Sequence, residues 1–347
     1  MNLDLSSLKQ TVQNNCHIAD SNAAGNYTLC IYLLKMREFY RWESGYDFGD
    51  NLPNDEVGKW LREREDLWED MVNDDFARLS IDGNEYDPFD SDSINKTLKP
   101  QRLVYSAGYG RNTNAHFFLG VLERNERYND FEIIVVADEY ARDLTAPPAM
   151  SQGTTIYIRR EAMRRMIWEK YEQWLWDKPN NAMARALSYY DFESNLDDAL
   201  TKMTDAELNS AVLHEIGEAK VFELLGEGWE KMLFEMPHSK LEMMLRAIRD
   251  QLADCLSTLP ALLEQKNPAS LHFYFSNLTH MRKALSPSLM PAYEAWVANN
   301  DISALTDYVN KGTLHWQKIC RAALEHWKVN RGIHADKQIE FIENNKL

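Results

Sequence analysis

With 347 residues, 44% of them hydrophobic, and with 10 Trp, 16 Tyr and 13 Phe, the chain carries enough apolar area to fold without a metal or disulfides. Any metal would then serve chemistry. The 54 Asp and Glu against 38 Lys and Arg give a formal charge of −16, which disfavours nucleic acid and anionic membrane surfaces as partners.

The opening MNLDLSSLKQ has neither a basic start nor an apolar core, and no stretch approaches 18 uncharged apolar residues, so a cytosolic protein is expected. Cys16, Cys30, Cys255 and Cys320 form no CxxC pair and read as four buried thiols, not as a zinc or disulfide framework.

Residues 5–79 read as helices. The clearest runs from about Ser21 to Glu43, with Leu29, Leu33, Met36 and Tyr40 at helical spacing. Asp50 to Asp55 breaks the pattern, and a charged helix follows from about Glu56. The polar stretch Ser80 to Pro100 reads as a linker and as the lobe boundary.

Between Arg102 and Arg159 the period shortens. RLVYSAGY, HFFLGVLER, FEIIVVAD and TTIYIRR predict three or four strands, mostly antiparallel. Helical spacing then returns to the C-terminus, interrupted at Pro179, Gly226 to Gly228, Pro237, near Pro260 and at Pro287 to Pro291. The fold expected is α+β, mainly α: a helical lobe over 1–100, then a core over 101–347 with a small sheet and C-terminal helices.

Two capping boxes stand out. Thr204-Asp-Ala-Glu207 predicts a helix over Asp205 to Leu225 with Gly226 as its stop, and Ser239-Lys-Leu-Glu242 predicts one over Lys240 to Leu263. The first carries Leu208, Val212, Leu213, Ile216, Val221, Phe222 and Leu224 around most of its circumference, which predicts enclosure, yet His214, Glu215 and Glu218 lie at its centre. On the second, Asp250 and Asp254 are one turn apart beside the apolar face. Buried carboxylates need a cation, a metal or a hydrogen-bond network.

His214-Glu215-Ile216-Gly217-Glu218 followed by Asp250 and Asp254 resembles the zincin-like metallopeptidases, specifically their glutamate-zincin branch. The resemblance covers about Gly153 to Leu259. It implies a zincin-like core in the C-terminal half, with GTTIYIRR as the edge strand lining a substrate cleft. It also implies His214, Glu218 and Asp250 as metal ligands, Glu215 as general base, and Asp254 as acceptor for the other nitrogen of His214.

The sequence departs from the family's HExxH, because Glu218 stands where a second His is expected. One nitrogen and two carboxylates form a harder ligand set, so the divalent metal is Zn, Fe or Mn. The function implied is a metal-dependent hydrolase of a peptide or amide. Two alternatives stay open: a non-catalytic interaction protein on a degenerate metallopeptidase scaffold, with a protein partner, and a non-haem iron or manganese oxidase, for which Glu235-Met-Pro-His238 is the one ExxH. The plain reading of the acids is a satisfied polar network between two core helices.

Other signals read as structure. Asp20 reads as a helix cap more readily than as a ligand with Cys16 and His17, and His116 as a hydrogen-bonded strand end. Arg159, Arg160, Arg164 and Arg165 read as a solvated helix face paired with acids, and Trp168, Trp174, Trp176 and Tyr171 as core contacts.

Overall fold

A computed structural model describes residues 3–110, 114–236, 239–330 and 335–347. Helix α1 (Leu5–Ala23) starts where the Asp4 carboxylate accepts the Ser7 N–H at 3.0 Å. Its Leu8, Val12, Cys16 and Ala19, spaced by three or four residues, are buried against Leu103, Tyr105, Phe117 and Leu119.

A turn at Ala24–Asn26 separates α1 from α2 (Leu29–Ser44), so the helix expected from Ser21 to Glu43 is parts of two. Met36 and Tyr40 are buried as expected, but Leu29 and Leu33 are 70% and 44% exposed, because the apolar stripe of α2 reaches the core only in its second half. The charged α3 (Asn54–Met71) follows.

The stretch 80–100, expected as a linker, is folded. Strands β1 (Leu79–Ile81) and β2 (Asn84–Tyr86) pair around Asp82 and Gly83, whose φ of 51° and 80° are those of a tight hairpin turn. Asp90 then caps α4 (Ser91–Leu98) by accepting the Ser93 N–H.

Strands β3 (Leu103–Tyr109), β4 (Ala115–Tyr128), β5 (Phe131–Arg142), β6 (Ala149–Gln152) and β7 (Thr155–Arg159) form a sheet in the order β3-β4-β5-β7-β6. All pairings are antiparallel except β5 with β7, because the chain turns back through β6 between them. β7 is therefore an interior strand and not the expected edge.

The β3 edge of this sheet is occupied by side chains. Asn95 on α4 exchanges hydrogen bonds with the Tyr105 backbone on β3, at 2.7 and 2.8 Å, and Gln152 on β6 donates to the Ala107 carbonyl of β3 at 2.5 Å.

The remaining helices are α5 (Arg160–Leu175), α6 (Ala182–Leu187), α7 (Leu196–Leu225), α8 (Glu227–Glu235), α9 (Lys240–Ala253), α10 (Leu259–Gln265), α11 (Pro268–Ser276), α12 (His280–Leu285), α13 (Leu289–Asn299), α14 (Ser303–Asn330) and α15 (Ala335–Glu343). The fold is α+β and mainly α.

The chain divides into two compact units, Met1–Gln173 with Glu193–Thr204, and Trp174–Phe192 with Asp205–Leu347. The division near residue 100 expected from composition differs from this one, because α1 and the sheet share a single core. The second unit has its own core, built from Trp229, Leu245, Leu252, Phe275, Tyr293 and Trp316.

Candidate functional site

The residues singled out by the sequence lie on α7 and on the helix that begins with α9, all within the second unit. α7 starts at Leu196, eight residues ahead of Thr204, so the Thr204-Glu207 box does not cap it. The Thr204 hydroxyl is buried without a partner among the described residues, and Glu207 instead accepts the Ser270 hydroxyl at 2.7 Å. The helix does end at Leu225, with Gly226 at φ +71°. Nor is α7 enclosed all round, since Phe222 and Leu224 are 46% and 37% exposed.

The Ser239 cap holds as read, its hydroxyl accepting the Glu242 N–H at 3.2 Å. Beyond Ala253 the helix widens into a π turn over Asp254–Thr258, in which the Leu259 N–H reaches back to the Asp254 carbonyl. Pro260 lacks the N–H that would bond the Leu256 carbonyl, and Lys220 of α7 donates to that carbonyl at 3.3 Å.

Gly217 sets how near the two helices come. A Cβ there would lie 2.4 Å from the Ala253 carbonyl oxygen, so only glycine permits this approach. The glycine of the HEIGE run thus brings α7 and its charged residues against the Asp250–Asp254 turn.

The charged groups form a chain of contacts. His214 Nδ1 meets Asp254 Oδ1 at 2.9 Å, and its Nε2 lies 3.5 Å from Glu218 Oε1. Asp254 is fully buried and also accepts the Thr258 hydroxyl at 2.9 Å, the Tyr274 hydroxyl at 2.9 Å and the Arg282 guanidinium. Arg249 donates to Glu218 Oε1 at 2.6 Å and to Asp250 Oδ1 at 3.1 Å. Glu215 is buried at 8% exposure and makes no hydrogen bond or ion pair with any described residue.

Charge follows these contacts. Burial pulls the His214 imidazolium down, but Asp254 and Glu218 outweigh it and hold the group well above its usual value. Burial would raise Glu218, and Arg249 and His214 bring it below the ordinary carboxylate range. Burial likewise opposes ionisation of Asp254, yet Arg282 and His214 keep it ionised. Burial and then Glu218 push the Glu215 carboxyl up to about 7.

The structure brings His214, Glu218, Asp250 and Asp254 into one chain of contacts, with His214 on Asp254 and with Arg249 between Glu218 and Asp250. Arg249 and Arg282 were not anticipated. Arg249 was legible only as the residue next to Asp250, and its bridging role depends on the approach of α7.

This donor set does not fit a metal. Arg249 donates to Glu218 Oε1 and Asp250 Oδ1, and Asp254 holds His214 Nδ1, so a cation of the protein already bridges the two carboxylates that would bind a metal. Among the described residues no group of three or more His, Cys, Asp or Glu is placed to hold a metal ion. For the oxidase alternative, Glu235 ends α8, while Pro237 and His238 lie outside the described residues.

The other singled-out residues resolve as follows. His17 lies between the Arg64 guanidinium and the Trp68 indole, and burial, then Arg64, push it down to about 3. Asp20 does not cap a helix but accepts the Leu144 N–H at 2.9 Å, and His116 meets Asp143 at 3.1 Å. Arg159 is buried and bonded to Glu139 at 2.6 Å, so it is not part of a solvated face, and Trp176 is 86% exposed where a core contact was expected. Cys30 is exposed, unlike the other three cysteines.

No curated protein and no solved structure matches this chain. Two family models do: the N-terminal domain of a family of unknown function, DUF6866, over residues 7–159, and the C-terminal domain of the same family over residues 164–345. With more than half of its length matched by the second model alone, the chain belongs to the DUF6866 family.

Proposed function

We propose that the protein acts by binding rather than by catalysis, as a non-catalytic interaction protein in which the His214–Asp254 network braces the second unit. The observation that supports this most is the Arg249 guanidinium, which bonds both carboxylates that a metal would need. Three cations, His214, Arg249 and Arg282, face the carboxylates of Glu218, Asp250 and Asp254, so the cluster is neutralised by protein groups alone.

A protein or small molecule is the partner proposed, and nucleic acid is not, given the charge of −16. A cytosolic location accords with free thiols at Cys16, Cys30, Cys255 and Cys320. Among the described residues no helix is long and apolar enough to cross a membrane.

The metal-dependent hydrolase remains the competing reading, favoured by the Asp254–His214 contact and by a Glu215 carboxyl near 7, a value suited to a general base. Elemental analysis of the purified chain, with calorimetric titration of Zn, Mn and Fe(II), separates the two. The binding reading expects less than stoichiometric metal in the wild type and no saturable site. One equivalent of metal that disappears in His214→Ala would overturn it.

A further inference from the structure

The first unit contains a cavity of about 300 Å³ between the end of α2, the loop that follows it, the end of β5 and the first turns of α5. The volume sits at the lower end of those that hold small organic ligands, which run from about 300 to 1,000 Å³. Its wall combines half-buried aromatic rings, Trp42 and Phe48, with four guanidinium groups, Arg41, Arg142, Arg164 and Arg165.

The four arginines are not equally engaged. Arg41 bonds the Glu38 carboxylate at 3.2 Å and the carbonyls of Asp47 and Asp50 at 2.5 and 3.2 Å, and Arg165 bonds the Ala146 carbonyl at 2.6 Å. Arg142 is 2% exposed, donates from Nη2 to the Glu38 carbonyl at 3.3 Å, and has no carboxylate nearer than Glu139 at 4.0 Å. Glu139 is already taken by Arg159 at 2.6 Å. The Nε atoms of Arg142 and Arg164 are both buried and unbonded among the described residues.

A buried donor without an acceptor is costly, and more so when it is charged. Burial, then the neighbouring Arg165, pulls the Arg142 guanidinium down to about 9 against the opposing fields of Glu139 and Glu161, and the group lies over the Phe39 and Trp42 rings at 5.0 and 4.7 Å. Arg164 reaches Asp197, but that carboxylate is 79% exposed and competes weakly with a ligand inside the cavity.

We propose that this cavity binds a small aromatic monocarboxylate, its anionic group on the Arg142 and Arg164 guanidinium groups and its ring against Trp42 and Phe48. A single negative charge suits the wall better than a phosphate, because six carboxyl groups, Glu38, Asp47, Asp138, Glu139, Glu161 and Asp197, also line the cavity and repel a second charge. Guanidinium groups favour a carboxylate geometrically, since two parallel N–H bonds match its two oxygens.

The test titrates the full chain with benzoate, indole-3-acetate, phenyl phosphate and benzylammonium, following tryptophan fluorescence and calorimetric heat. One of the two carboxylates is expected to saturate below about 1 mM, with phenyl phosphate weaker. Arg164→Gln is the variant of choice, because Arg164 is partly exposed and the chain should fold without it, as circular dichroism would verify. It should weaken the carboxylate by about ten-fold or more, and Trp42→Leu should weaken it as well. The proposal falls if neither carboxylate saturates, if benzylammonium or phenyl phosphate binds more tightly, or if Arg164→Gln leaves the affinity unchanged.

Discussion

The arginines of the buried network in the second unit and those lining the cavity in the first are paired to different degrees. In the second, Arg249 and Arg282 are spent on fixed carboxylates, and Asp254 alone takes four donors. In the first, Arg142 and Arg164 border a cavity and lack a carboxylate held as closely within the protein interior, and each has a buried Nε without a partner among the described residues, as Arg282 does in the second. A buried ion set whose partners all belong to the protein holds helices in register, whereas one short of an acceptor has affinity left for something else. The motif-like residues therefore fall in the closed network, and the cavity falls among residues that no motif marked.

The largest effect that tests this contrast is on stability. Asp254→Ala removes the acceptor for His214, Thr258, Tyr274 and Arg282 together, and should lower unfolding stability by about 3–5 kcal/mol in urea titration. Arg164→Gln, which breaks only a partly exposed pair with Asp197, should cost less than about 1 kcal/mol in the same assay. Equal losses would erase the distinction drawn between network and cavity.

A smaller loss should come from Gly217→Ala. The new methyl would meet the Ala253 carbonyl at 2.4 Å, forcing α7 and α9 apart. Overpacking of this kind costs about 1–3 kcal/mol, and because the charged contacts depend on that approach, the variant should also shift the His214 imidazole resonances in NMR. A shift confined to stability, with His214 unmoved, would mean that the network does not need the close approach.

The legible part of this molecule is the part governed by local rules. Short β-branched and aromatic runs marked β3, β4, β5 and β7 but not β6, which had read as a loop; the Ser239 box marked its helix and Gly226 a helix end, because each depends on a few neighbouring residues. Asp82-Gly83 was an equally local hairpin signal, hidden within a run so rich in polar residues that it read as a linker. Thr204 and Glu207 had the spacing of a cap but sit inside a longer helix, since nothing near Leu196 to Met203 forbids helix.

The candidate site was half legible for a related reason. Spacing places His214 with Glu218 and Asp250 with Asp254, but whether a metal or an arginine neutralises them is decided by side chains arriving from other turns, Arg249 and Arg282. The cavity was not legible at all, because its wall is assembled from residues 38–48, 138–142, 161–165 and 197. The basic run 159–165 was noticed, and its reading as a solvated face missed that Arg159 is buried and that Arg164 and Arg165 line the cavity.

The smallest and most diagnostic effect is the pH response of Glu215, which has no bonding partner while His214, Glu218, Arg249 and Asp250 act on it only through their fields. Its carboxyl is pushed up to about 7 in the folded protein, so the native state holds a proton that the unfolded chain releases near 4.5. The stability due to this group is therefore fully present below pH 4.5 and lost as pH rises through about 7. Glu215→Gln keeps the shape and removes the titration. Relative to wild type it should gain about 1–3 kcal/mol between pH 5 and 8 in urea titrations, with little difference at the acid end. His214 also loses stabilising charge as pH rises in both proteins, so the difference between them reads the Glu215 titration together with its field on His214. A difference that stays flat across this range would mean that Glu215 ionises freely, as it would with a cation beside it, and would reopen the metal-dependent reading.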